Sequence, residues 1–141
     1  MQSKVIEIGF VLRLGQGEEI VKTITEFIQD KNIEGGVITG IGAASDVTLQ
    51  YFNMETMEYE EKLFPEEYEI LALNGNISLK EGKLLPHLHI VLGSKDYQCI
   101  GGHLKSATVG ATCEIIIQKF TRLERRLDDA TELHLLDLNG D

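Results

Sequence analysis

Three histidines fall within one short stretch: His87 and His89 in Pro86-His-Leu-His-Ile, and His103 in Gly101-Gly102-His103-Leu104. Neutral imidazole is a common metal ligand. On an extended strand the side chains at i and i+2 leave the same face, so His87 and His89 can present two ring nitrogens to one ion. The spacing His-x-His-x13-His fits two strands joined by a turn near Ser94 to Tyr97, which returns His103 beside the pair. Three such ligands leave a coordination position open to water or to a substrate. A single histidine on a strand is most often a satisfied or surface side chain. The clustering of three of the chain's four histidines is what favours ligation.

The remaining candidates are weaker. Cys99 lies four residues before His103, where strand parity can add a thiolate as a fourth ligand; the competing reading is a small buried hydrophobe. Cys113, among Ala111, Ile115 and Ile117, reads as core. His134 has no partner histidine nearby in sequence and stands outside the set. Glu69 and Glu114 interrupt apolar strands, and the favoured reading for both is half of an ion pair, with Arg13 the natural partner, because buried charges are usually paired. The alternatives are a carboxylate that orients a ligand histidine or one that acts as a general base. The sequence has no Ser-His-Asp or Cys-His arrangement and no cofactor fingerprint.

The elements that must position these residues are mostly strands. Alternation predicts strands over Val5 to Leu12, Met57 to Leu63, Tyr68 to Ile77, His87 to Leu92, Ala111 to Phe120 and Glu132 to Leu136, punctuated by Pro65, Asn74-Gly-Asn76, Glu81-Gly82 and Gly93. One helix is predicted over Glu18 to Lys31, where Ile20, Val21, Ile24, Phe27 and Ile28 keep helical spacing and Glu18 and Glu19 favour the first turn. The glycines of Gly35 to Gly42 predict a strand ending in a tight bend. A phosphate cradle there needs a helix to open after the glycines, but Ala43 to Phe52 alternates like another strand. The pattern is that of an α+β fold, a mostly antiparallel sheet with one helix packed on a face, in a single domain over residues 1–141.

Composition narrows the partners. A net charge of −10 argues against direct nucleic-acid binding, which Lys and Arg drive by displacing counterions. Seven glutamates between Glu55 and Glu69 meet only Lys62 and read as a solvated face. The basic cluster Arg122, Arg125 and Arg126 is followed by Asp128 and Asp129 and makes a poor phosphate patch. Two cysteines make no disulfide framework, no signal-peptide pattern opens the chain, and no apolar run reaches the ~18 residues of a membrane span. A cytoplasmic location is the expectation.

Several phrases recur together in order: Gly9-Phe-Val-Leu-Arg-Leu14 with Gly17-Glu-Glu, Gly40-Ile-Gly-Ala with Asp46-Val-Thr-Leu, Tyr68-Glu-Ile-Leu-Ala-Leu-Asn-Gly-Asn, His87-Leu-His, Gly101-Gly-His-Leu and Thr112-Cys-Glu-Ile-Ile-Ile. Together they resemble the plant-and-prokaryote conserved domain, the PPC domain, over nearly the whole chain. The resemblance implies a compact α+β homotrimer with strands in the subunit contacts. It also implies a metal site, zinc by analogy, at His87, His89 and His103. In plants the domain accompanies AT-hooks that grip DNA; this chain has no Arg-Gly-Arg-Pro hook and looks like the stand-alone prokaryotic form. Three functions compete: a metal-binding homotrimer, with a small-molecule ligand as partner, whose open position, if the protein is an enzyme, supplies a metal-bound hydroxide for hydrolysis or a related reaction; a non-enzymatic trimerising module that acts through a protein partner; and, weakest, direct DNA binding by the domain itself.

Overall fold

Ile38, Leu73, Leu88, Ile90, Leu104 and Ile115 are buried, whereas both chain neighbours of each are half-buried or exposed. That period of two builds a sheet with one dry face. The computed structural model describes residues 1–139. Its elements are β1 (Gln2–Ile6), β2 (Gly9–Gly15), α1 (Ile20–Asp30), β3 (Gly36–Asn53), β4 (Glu58–Phe64), β5 (Tyr68–Lys80), β6 (Lys83–Gly93), β7 (Cys99–Lys119), β8 (Glu124–Leu127) and β9 (His134–Asp137). Pairing is antiparallel throughout except where β8 joins β5. The expected α+β architecture, one helix on a mostly antiparallel sheet, is the one observed.

Two long strands organise the sheet. β3 and β7 pair with each other, β3 also pairs with β5, β5 with β6, and β6 with the first part of β7. The pairing β3–β5–β6–β7–β3 therefore closes on itself. Inside it Leu73, Leu88, Ile90, Leu92, Leu104 and Ile115 share one core with Ile20, Ile24, Phe27 and Ile28 of α1 and Leu12 and Leu14 of β2. Glu19 fixes the helix in place. Its carboxylate accepts from the backbone N–H groups of Val21 and Lys22 as the N-cap, and also from that of Ala107 in β7. The helix thus starts at Ile20, and Glu19 acts as its cap rather than as a first-turn residue.

Several boundaries differ from those expected, each for a local reason. The strand expected at Val5 to Leu12 is a hairpin, because Glu7 and Ile8 turn between β1 and β2. The two strands expected around Gly42 are one strand, β3, with the bend absorbed as a register shift between Gly40 and Gly42. No helix opens there, consistent with rejecting a phosphate cradle. Asn74-Gly-Asn76 is not a turn: it runs through the middle of β5, where a Cβ on Gly75 would lie 2.1 Å from the His87 carbonyl oxygen. Gly75 serves close strand approach. Glu81-Gly82 is a turn as expected, with both residues at positive φ, the two-residue hairpin geometry that matches strand twist. β8 had no sequence signal and β9 starts two residues later than expected.

Gly75→Ala is expected to lower stability by about 1–3 kcal/mol through overpacking, read as a shift in the denaturant midpoint. Gly110→Ala, whose Cβ would meet only ordinary contacts at 3.5 Å or more, is the control and should shift it little. Equal midpoints for the two variants would contradict this account of β5.

Candidate metal centre

The register of β5, β6 and β7 sets the site. Asn74 lies opposite His89, and Asn76 opposite His87. His89 lies opposite His103, and His103 opposite Gln50 of β3. Because Leu88 and Ile90 point into the core, His87 and His89 must point out of the closed circuit, on the side where His103 also emerges. The ring centroids are separated by 5.0 Å (His87 to His103), 5.1 Å (His87 to His89) and 5.3 Å (His89 to His103). One nitrogen from each ring lies within 4.8 Å of the other two. The structure thus brings together the three residues that the sequence singled out.

The surroundings keep two of the rings, His87 and His103, neutral. His87 is half-buried and its pKa falls to about 4, first through loss of solvent and then through Arg125, His103 and His89. His103 is lowered by burial, then by His89 and Arg125. Both rings are therefore neutral at neutral pH, and a neutral imidazole keeps the one lone pair that metal ligation requires. The Tyr59 ring lies 5.7 Å from that of His103. A cavity of about 430 Å³ opens beside His87 and His103, walled by Gln50, Phe52, Tyr59, Arg125 and Leu135 among others.

The other candidates separate from the triad. Cys99 is exposed, not buried. It pairs opposite Gly93, lines a separate cavity of about 970 Å³ that no histidine borders, and adds no ligand to the triad. Cys113 is core as expected, its thiol pushed up to about 12 by burial and by Glu114. Glu69 and Glu114 are exposed, so neither is a buried charge. Glu114 stands opposite Arg13 in register, but Arg13 donates to Gln2, and the ion pair expected of it is absent among the described residues. His134 lies at the cavity wall without joining the triad; its ring is 3.3 Å from Glu81.

Arg125 was missed. It stands in β8, in a run that read only as a basic cluster. Its guanidinium donates through Nε to Ser78 Oγ (2.8 Å), through Nη1 to the His134 carbonyl (3.0 Å), and through Nη2 to Asn76 Oδ1 (2.7 Å). Nη2 also lies 3.3 Å from His87 Nδ1. Ser78 is wholly buried, and the arginine is what satisfies it. No sequence signal marked it, because the burial of Ser78, which calls for a donor, follows only from the placement of β5.

Residues 1–121 match the family model of the Plants and Prokaryotes Conserved (PCC) domain. The chain belongs to the PCC family. Among solved structures, it is similar to a candidate DNA-binding protein from Bacteroides thetaiotaomicron, at 34% identity and a TM-score of 0.95 over 99% of this chain and 98% of that one. It is similar to a metal-containing protein from Archaeoglobus fulgidus at 37% identity and a TM-score of 0.83, covering 96% of this chain and 98% of that one. A plant- and prokaryote-conserved protein from Pyrococcus horikoshii matches at 31% identity and a TM-score of 0.83 over 92% of each chain. No curated protein matches. The PCC match ends before β8, so Arg125 lies beyond it.

The His87 shift has a stability consequence. The unfolded chain takes up a proton at this ring near pH 6.5, whereas the folded PCC chain resists it down to about pH 4. More protons are then bound by the unfolded state, so stability falls as pH drops through that window and is retained above it. The thermal midpoint of metal-free protein should fall between pH 6.5 and 4, and His87→Gln should flatten the fall. An unchanged slope in the variant would contradict the assignment.

Proposed function

We propose that this PCC protein is a cytoplasmic homotrimer that binds one divalent transition-metal ion per chain, zinc in the first instance, through His87, His89 and His103. The observation that carries this reading is the convergence of three imidazole nitrogens, all within 4.8 Å of one another, from two adjacent strands. The donor set fits: three neutral nitrogens suit zinc and leave a position open. The relative from Archaeoglobus fulgidus is described as a metal-containing protein, which supports the same reading. When bound, the ion would supply a Lewis-acid centre. The protein's own residues do the rest: β6 and β7 orient the rings, and burial keeps His87 and His103 unprotonated.

Trimer formation is supported by the outer surface of the closed circuit. Val37, Ile41, Leu71, Val91 and Ile116 are all exposed there. They lie on β3, β5, β6 and β7, the strands that also carry or flank the histidines. Exposed apolar patches of this kind mark association surfaces. No helix among the described residues is long and apolar enough to cross a membrane.

A second reading is a non-enzymatic regulatory module, favoured by the similarity to a candidate DNA-binding protein. With a net charge of −10, such a module would act through a protein partner rather than by gripping phosphates.

Elemental analysis of untagged protein after zinc supplementation and desalting should give about one metal per chain, following the three-ligand geometry. His87→Ala and His103→Ala should each lose it with little change in the circular dichroism spectrum. Stoichiometric metal in both variants, or none in the wild type, sinks the site. Light scattering should give a trimer at micromolar concentration and a smaller species for Ile116→Asp; a monomeric wild type would remove the subunit proposal.

A further inference from the structure

Arg125 is a half-buried cation whose described hydrogen-bond partners are all uncharged: the Ser78 hydroxyl, the His134 carbonyl, the Asn76 amide oxygen and a His87 ring nitrogen. Its neighbours on the same tail are paired conventionally, Arg122 with Glu34 and Glu124, Arg126 with Asp137. No carboxylate pairs with Arg125 among the described residues, although buried charges are usually paired. It faces the cavity of about 430 Å³ that His87 and His103 also line. Phe52, Leu85, Leu133 and Leu135 give that cavity an apolar wall, Lys80 adds a second positive charge, and Glu132 is its one carboxylate among the described residues.

The contact between Arg125 and His87 ties this cation to the triad. A guanidinium only donates, so Nδ1 of His87 must be the acceptor of the Nη2 hydrogen bond. When His87 serves as a metal ligand, Nδ1 either gives its lone pair to the ion or carries the ring proton. Each case ends the hydrogen bond and leaves an Nη2 N–H of Arg125 without its acceptor, beside the cavity.

We infer that Arg125 and the histidine triad form one composite site for a small organic oxyanion, a carboxylate or a phosphate carried on an apolar body, and that metal and anion each strengthen the other's binding. The inference rests on the metal reading above. It assigns ligand recognition to the β8–β9 hairpin, which follows the matched PCC residues 1–121. The same hairpin supplies Leu133 and Leu135 to the wall. Coupling between the two ligands is reciprocal, as linkage requires.

The test is titration of untagged protein with cobalt(II), followed by visible absorption at constant ionic strength, alone and with benzoate or phenyl phosphate. For wild type the anion should tighten cobalt binding by about tenfold, within the usual range for coupled sites. Benzoate or phenyl phosphate, whichever acts, names the head group. Arg125→Gln should bind cobalt at least as tightly without anion and lose the anion effect. Asn76→Asp, which keeps the arginine but gives it a carboxylate partner, should lose the effect as well and guards against misfolding of the first variant. A wild type that binds no cobalt defeats the metal reading and this inference with it. A wild type that binds cobalt but ignores both anions, or variants that keep the full effect, overturns the oxyanion site alone.

Discussion

The pairing of β6 between β5 and β7 is the constraint on which everything else depends. Side chains alternate along a strand, so a slip of one residue between β6 and its neighbours would turn Leu88 and Ile90 out of the core and His87 and His89 into it. The core residues hold the register because burying each apolar side chain contributes about 1.5–3 kcal/mol, and five of them, Leu73, Leu88, Ile90, Leu92 and Leu104, meet inside this part of the sheet. The direct pairing of His89 with His103 follows from that register. The geometry of the triad is thus a consequence of core packing on the opposite face. Gly75 belongs to the same constraint, since β5 passes the His87 carbonyl where no side chain fits.

A balance of desolvation and charge then shapes the triad. Burial and the positive charge of Arg125 both oppose protonation of His87 and of His103, and the neighbouring imidazoles add to this at both rings. The arrangement would be costly if the rings were charged; neutral, they present lone pairs. Arg125 plays two parts in this balance. It satisfies Ser78, which is fully buried, and it occupies the His87 nitrogen in the absence of other ligands. If the triad holds a metal ion as proposed, the cation beside it is unfavourable by itself, and an anion would relieve it.

Much of this was legible in the sequence, and the parts that were not have physical causes. The triad was readable because strand period and histidine spacing are local: i and i+2 must share a face, and a turn at Ser94 to Tyr97 must return the chain. The helix was readable from its apolar spacing. Arg125 was not, because β8 is only four residues long and reaches the site through a parallel pairing with β5, a non-local contact that no sequence period announces. The glycines misled for a related reason. Asn74-Gly-Asn76 has turn composition, but its glycine answers the backbone of another strand. Glu69 and Glu114 seemed to interrupt buried strands, whereas each is simply the outward member of an alternating pair.

That three histidines from β6 and β7 hold one ion is proposed from their convergence. X-ray absorption spectroscopy at the metal edge of zinc-loaded protein tests it most directly. The expected result is three imidazole nitrogens at about 2.0–2.1 Å with a non-protein light atom completing the shell. A shell of oxygens without imidazole scattering, or one containing sulfur, would contradict it.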